Sequence, residues 1–197
     1  MNFTVNNRGN SKPASWEKCD LYFNRALCRL ESAGAEIIAI ASVTPHSRLE
    51  ERSKGVNVPI LSIYDALGAF CEEEEISTLL VLGTMPTMTT PNLVEGVSAY
   101  GVRSFYPESD VAKSNVVSII NNLYENNIES ASCDIEKIVR DSLGDIETKN
   151  VAVCLACTEL PVAFGEKGKK PKFVHNDVMY LNSSVIHADL IFSACVE

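Results

Sequence analysis

Apolar residues in this chain fall into short unbroken runs, separated by longer stretches in which they recur at helical spacing. The runs at 37–41, 58–61, 76–82, 102–105, 151–156 and 178–181 predict strands. Continuous runs such as 151–156 suit strands buried on both faces of a parallel sheet. Helical spacing predicts helices over 16–32, 48–53, 64–71, 93–100, 111–126 and 132–143, with Ser15 as N-cap of the first and Gly34 closing it. Strands alternating with amphipathic helices define an α/β fold with a parallel sheet. Residues 1–15, rich in Asn, Ser, Gly and Pro, read as a flexible lead-in.

In such sheets, ligands bind beyond the carboxyl ends of the strands. Three of the predicted strands release polar residues there: Ser42-Val43-Thr44-Pro45-His46, Gly83-Thr84-Met85-Pro86-Thr87-Met88 and Cys157-Thr158-Glu159-Leu160-Pro161. A hydroxyl that caps the following helix would explain one such end. Three ends carrying hydroxyls, a thiol and a carboxylate point to a site.

Composition narrows the chemistry. The net charge of −9 leaves no basic face for nucleic acid. Lys167-Gly168-Lys169-Lys170 reads as a solvated loop. No apolar run reaches the ~18 residues that span a bilayer, so no membrane partner is expected. Seven cysteines without an apolar leader predict reduced thiols in the cytoplasm. Cys154 and Cys157 have CxxC spacing, but two further ligands at comparable spacing are absent, so no metal is expected. No phosphate loop or Ser-His-Asp arrangement is present, and no cofactor is implied.

The three strand ends resemble the aspartate/glutamate racemase family, whose members carry Cys-Asn-Thr-x-His, Gly-Thr-x-x-Thr and Gly-Cys-Thr-Glu at these places. Ser42 to His46, Gly83 to Thr87 and Ala156 to Glu159 are the counterparts. The linking segments Glu31 to Glu36 and Val58-Pro59-Ile60, and the tail Asn182 to Ala188, are similar too. The resemblance implies two similar α/β lobes with parallel sheets flanked by helices, facing each other across a cleft. It places 1–75 plus 171–197 in the first lobe and 76–170 in the second. It further implies cofactor-independent proton exchange at the Cα of a small acidic amino acid. Cys157 and Ser42 would be the catalytic pair, and Thr44, Thr84, Thr87, Thr158, Glu159 and His187 would bind substrate. Cys157, past a strand end, is expected to be the most reactive thiol, and Cys154 to be shielded.

Ser42 stands where the family has its first cysteine, and Val43 stands where it has an asparagine. The family's opening strand, Gly-rich turn and first helix have no counterpart in the sequence. A sheet without them has an uncovered edge, so a homo-oligomer or a partner chain is expected to cover it. Two readings follow: a racemase-type enzyme of reduced or one-sided activity, or a catalytically degenerate relative that acts as a ligand-binding or assembly module.

Overall fold

A computed structural model describes residues 13–146 and 149–196. Most of the expected lead-in lies outside the described residues. Its end is helical: α1 spans Pro13–Ser32 and begins ahead of the Ser15 cap predicted for it. Proline is well suited to a helix's first turn, where its missing N–H needs no partner. Gly34, at φ +91°, closes the helix in the left-handed conformation that side chains disfavour.

A small parallel sheet follows. Strand β1 (Ile38–Ala39) pairs in register with β2 (Ile60–Leu61), Ile38 opposite Ile60. Between them lie two single-turn helices, α2 (Val43–His46) and α3 (Leu49–Arg52). Leu27 of α1 packs on Ile38 and Ile40, with Phe23, Val58 and Ile60 around them.

The larger body begins with α4 (Ile63–Glu73), capped by the Ser62 hydroxyl, which accepts from the N–H groups of Tyr64 and Asp65. Then come β3 (Thr78–Gly83), α5 (Met85–Thr89), α6 (Asn92–Ser98) and β4 (Arg103–Phe105). Helices α7 (Asp110–Tyr124) and α8 (Ala131–Leu143) lead to β5 (Val151–Ala156). Two 3-10 turns precede β6 (Lys172–His175) and β7 (Val178–Asn182), and α9 (Ser183–Val196) follows. The sheet order is β4-β3-β5-β7-β6; all neighbours are parallel except β6 and β7.

Both faces of this sheet are covered, which accounts for its unbroken apolar strands. Leu80, Leu82, Val153 and Leu155 pack under α7 and α8 with Ile119, Ile135 and Val139. Leu79, Val81, Ala152 and Cys154 face α4, α6 and α9 through Leu67, Val97 and Ile186. The α/β class is as expected.

Two placements differ from the sequence reading. Residues 172–182, expected in the first lobe, are strands of the large sheet, because β7 hydrogen-bonds along β5. Helix α4, also expected in the first lobe, buries Ile63, Ala66, Leu67 and Cys71 against that same sheet. No described helix is long and apolar enough to cross a membrane.

Two buried histidines join the small sheet to the large body. The N–H of Ile63 donates to His46 Nε2 at 3.2 Å, so Nδ1 carries the ring proton and donates to the Ser42 carbonyl at 2.8 Å. His187 on α9 donates from Nε2 to the Leu61 carbonyl at 3.0 Å. The two rings meet edge to face at 5.7 Å. Burial pushes His46 down from 6.5 to about 4, and burial also lowers His187.

A depressed histidine pKa means that the unfolded chain takes up the proton first as pH falls. Stability from neutral His46 is therefore complete above pH 6.5 and is lost on descent to about 4. The full loss is about 3 kcal/mol. Thermal melting followed over this window is expected to show the midpoint falling, with a visibly shallower fall in His46→Asn. Identical slopes in the two proteins would show that His46 does not carry the effect.

Candidate active site

Strands β3 and β5 lie side by side with Gly83 opposite Ala156, so their carboxyl ends open at one point. The chain leaves β3 through α5 and α6 toward the β4 edge, and leaves β5 toward β7 on the other side. This is the reversal of strand order at which open α/β sheets form a crevice. Gly83 permits the close approach: a Cβ there would lie 3.0 Å from both the Ala156 carbonyl oxygen and the Thr87 methyl.

A cleft of about 150 Å³ occupies this position. A cavity of similar volume holds benzene, so the space suits a small metabolite. Thr84, Ala156, Cys157, Thr158 and Glu159 form its wall on the large sheet, with Ser184 from the start of α9. Ser42, Val43, Thr44 and Pro45 line the side of the small sheet, with Arg52 and with Cys19 and Phe23 of α1.

Ser42 and Thr84 occupy the residue just before α2 and α5, where a hydroxyl would ordinarily cap, yet neither makes a side-chain capping bond. Thr84 Oγ1 instead lies 2.8 Å from Thr44 Oγ1 and 3.0 Å from Thr87 Oγ1. Thr44 and Thr87 close the triangle at 3.3 Å. Three hydroxyls thus meet here, Thr44 and Thr84 lining the cleft and Thr87 buried behind them. Each can rotate to donate or accept, so the cluster can reorient its donors toward a bound anion.

Cys157 is 8% exposed at the end of β5. Its thiol donates to Glu159 Oε2 at 2.8 Å, and Thr158 Oγ1 donates to the same oxygen at 2.8 Å. Burial, then the hydrogen bond to Glu159 and its negative charge, push the Cys157 thiol up to about 12. In this arrangement Cys157 is a protonated thiol, a reservoir of one proton at the cleft. The expectation that it is the readiest of the seven thiols is therefore revised: Cys133 and Cys195 are exposed, and thiolate formation at Cys157 is suppressed. Cys154 is buried within β5, as expected, and burial raises its thiol above the ordinary range.

The facing wall carries a network of ion pairs. Asp20 of α1 is bound by two guanidiniums, Arg52 Nε to Oδ1 at 2.8 Å and Arg48 Nε to Oδ2 at 2.7 Å. Glu51 also approaches Arg48 Nη2 at 3.9 Å, so two guanidiniums are set against two carboxylates. Arg52 also donates to the Pro45 carbonyl at 2.6 Å and, from Nη2, to Cys19 Sγ at 3.6 Å.

The structure thus brings Ser42, Thr44, Thr84, Cys157, Thr158 and Glu159 to one cleft. Thr87 is buried just behind it, reaching the site through Thr44 and Thr84. His187 does not line the cleft; it is buried against the Leu61 carbonyl. Arg52, Asp20 and Cys19 were not singled out from sequence. Among the described residues no cluster of His, Cys, Asp and Glu could hold a metal ion.

The chain belongs to the Asp/Glu/hydantoin racemase family, whose sequence model matches residues 8–189. Among solved structures it is similar to an aspartate racemase homologue from Pyrococcus horikoshii, at 30% identity and TM-score 0.76, covering 100% of this chain and 81% of that one. Picrophilus torridus aspartate racemase shares the fold at 23% identity and TM-score 0.65, over 87% of this chain and 67% of that one. Glutamate racemase from Francisella tularensis, solved with D-glutamate, shares it at 16% identity and TM-score 0.62, over 94% and 65%. No curated protein matches the sequence.

Replacing the Glu159 carboxylate with an amide removes the charge that holds the proton on Cys157. In Glu159→Gln the Cys157 pKa is expected to fall from about 12, and alkylation at mildly alkaline pH to rise. The gain is about tenfold for each unit of fall. Peptide mapping after limited iodoacetamide treatment reads it, and equal labelling in both proteins would disprove the coupling.

Proposed function

We propose that this protein exchanges the Cα proton of a small acidic amino acid, the racemase-type reaction, without a cofactor. The observation that carries the reading is the protonated Cys157 thiol, held by Glu159 at the crevice of a chain in the Asp/Glu/hydantoin racemase family.

The reaction requires a base on one face of Cα and an acid on the other. Cys157 suits the acid: its thiol is formed and directed at a carboxylate that a bound ammonium could engage instead. The hydroxyls of Thr44 and Thr84, backed by Thr87, supply donors for the α-carboxylate, whose charge grows as the proton leaves. Thr158 shares the Glu159 oxygen and fixes its direction. The Arg52 guanidinium on the facing wall gives a second carboxylate of the ligand a cation to meet. Ser42 takes the position of the family's first cysteine. A serine hydroxyl yields almost no alkoxide near neutrality, so its part is to donate a hydrogen bond rather than to take the proton.

Incubation in heavy water with L- and D-aspartate and with L- and D-glutamate tests the reading. Deuterium is expected at Cα of at least one of these acids. Cys157→Ala should lower incorporation by roughly 10²-fold or more, the scale of a lost acid–base group. Binding of the acids with no incorporation would favour the ligand-binding alternative. Neither binding nor incorporation would remove the substrate class.

A further inference from the structure

We propose that a second cavity, at the end of the large sheet opposite the cleft, binds a small monocarboxylic acid with a flat apolar body. The assignment stands apart from the racemase reading, since none of the residues around this cavity lines the cleft.

The cavity lies between the C-terminal half of α8 and the β6–β7 hairpin, and measures about 140 Å³. Val178 opens β7, which runs parallel to β5, so this is the amino end of the sheet, whereas Cys157 leaves its carboxyl end. Glu136, Val139, Arg140 and Leu143 follow one another at helical spacing, so one face of α8 meets the cavity. Val139, Leu143 and Val178 give it an apolar interior, in a volume close to one that holds benzene.

The polar groups of the cavity are open on the donor side. Glu136 is already engaged: Oε1 lies 2.5 Å from His175 Nε2, and Oε2 accepts from Asn176 Nδ2 at 2.8 Å. Asn176 and Asp177 form the hairpin turn at φ +47° and +60°, with His175 paired to Val178 across it, so the amide is held against α8. Arg140, one turn beyond Glu136, makes no ion pair among the described residues.

Tyr180 points to a ligand most directly. It is 1% exposed, its ring stacked on Phe173 at 5.4 Å and packed on Phe164 at 4.9 Å. Tyr180 lines the cavity, yet its hydroxyl makes no hydrogen bond among the described residues. Among those residues Ser104 Oγ is the one fully enclosed side-chain polar atom without a partner, so the Tyr180 oxygen is not sealed off and faces the cavity. Burial and the nearby Glu136 charge raise the Tyr180 pKa, which keeps the hydroxyl a donor. Interior hydroxyls ordinarily have a partner, and a ligand oxygen here supplies one.

The formal charges of Glu136 and Arg140 cancel, so the open donors, and not net charge, select the ligand. A carboxylate offers acceptors to a phenol and a guanidinium at once. Its apolar body then covers Val139, Leu143 and Val178.

Benzoate is the probe, read in proton–carbon methyl spectra of the full chain. The methyls of Val139, Leu143 and Val178 are expected to shift saturably, with Kd on the order of 1 mM for a ligand of this size, while those of Val43 at the cleft stay in place. Benzamide, with the same ring and no charge, is expected to bind about tenfold more weakly. Tyr180→Phe removes only the hydroxyl, and Arg140→Gln removes an exposed cation; each is expected to weaken benzoate about tenfold. Circular dichroism checks both folds, and should Tyr180→Phe fail to fold, Arg140→Gln decides. No shift around the cavity, or shifts at Val43 alone, overturns the site. Benzamide binding as tightly as benzoate, or unchanged benzoate affinity in either folded variant, overturns the carboxylate assignment.

Discussion

The shape of the cleft depends on one carboxylate, that of Asp20, clamped between Arg52 and Arg48. Arg52 is 1% exposed, and removing a guanidinium from water costs several kcal/mol. Its compensation is nearly complete. The fork reaches Asp20, the Pro45 carbonyl and Cys19, while its Cζ lies 4.5 Å from the Phe23 ring centre. Asn24 adds two bonds from α1, to the carbonyls of Arg52 and Lys54. A buried ion pair is weak evidence for stability, since apolar residues of similar volume often serve as well. Position and charge are what this one provides. It fixes α1 against the loop that carries Ser42 and Thr44, and it holds the Arg52 guanidinium at that wall.

The other wall is fixed by sheet register. Gly83 and Ala156 are opposite one another, so Thr84 and Cys157 leave the sheet side by side. Thr44 arrives from the small sheet and bonds to Thr84, so the hydroxyl cluster is also a joint between the two bodies. The histidines form a second joint on the far side of α2, with His46 reaching the backbone of Ile63 and His187 that of Leu61. Each of those polar groups is buried and satisfied, as interior polar groups must be. A change in the relative position of the two sheets would break bonds at both joints. The cleft is therefore held by polar contacts at its floor and flank, in addition to the apolar packing beneath the large sheet.

Much of this was legible in the sequence because the signals were local. The run 151–156 is a strand with those same bounds, since six successive apolar residues can only be buried on both faces of a covered sheet. The strand-end reading located six cleft residues for a similar reason: polarity switches abruptly after β1, β3 and β5. The illegible parts are non-local. Asp20 and Arg52 are far apart in sequence, and each alone looks like an ordinary charge on a helix. Strand β6 has Lys172 and Val174 exposed at the sheet edge, so its pattern is too sparse to predict; it exists because β7 offers it a pairing edge. The single-turn helices α2 and α5, each containing a proline, are too short to show periodicity. His187 was misplaced because a family resemblance conveys position along the chain and not the direction of a ring.

The charged groups on the two walls bear on why the cleft would suit proton transfer at carbon. The large-sheet wall presents Glu159 with its thiol and hydroxyl donors, and the facing wall presents the Arg52 guanidinium. An amino acid zwitterion carries its ammonium and carboxylate on the same carbon, so a field across the cleft turns that carbon to a definite orientation. Orientation is worth several kcal/mol to a reaction that must meet a base on one side and an acid on the other. Because Glu159 and Arg52 are each held by neighbouring bonds, the field is present before a ligand enters and needs little reorganisation during the reaction. On the proposed reading, the buried ion pair and the raised Cys157 thiol act together. One fixes the field that orients Cα, and the other holds the proton which that orientation delivers.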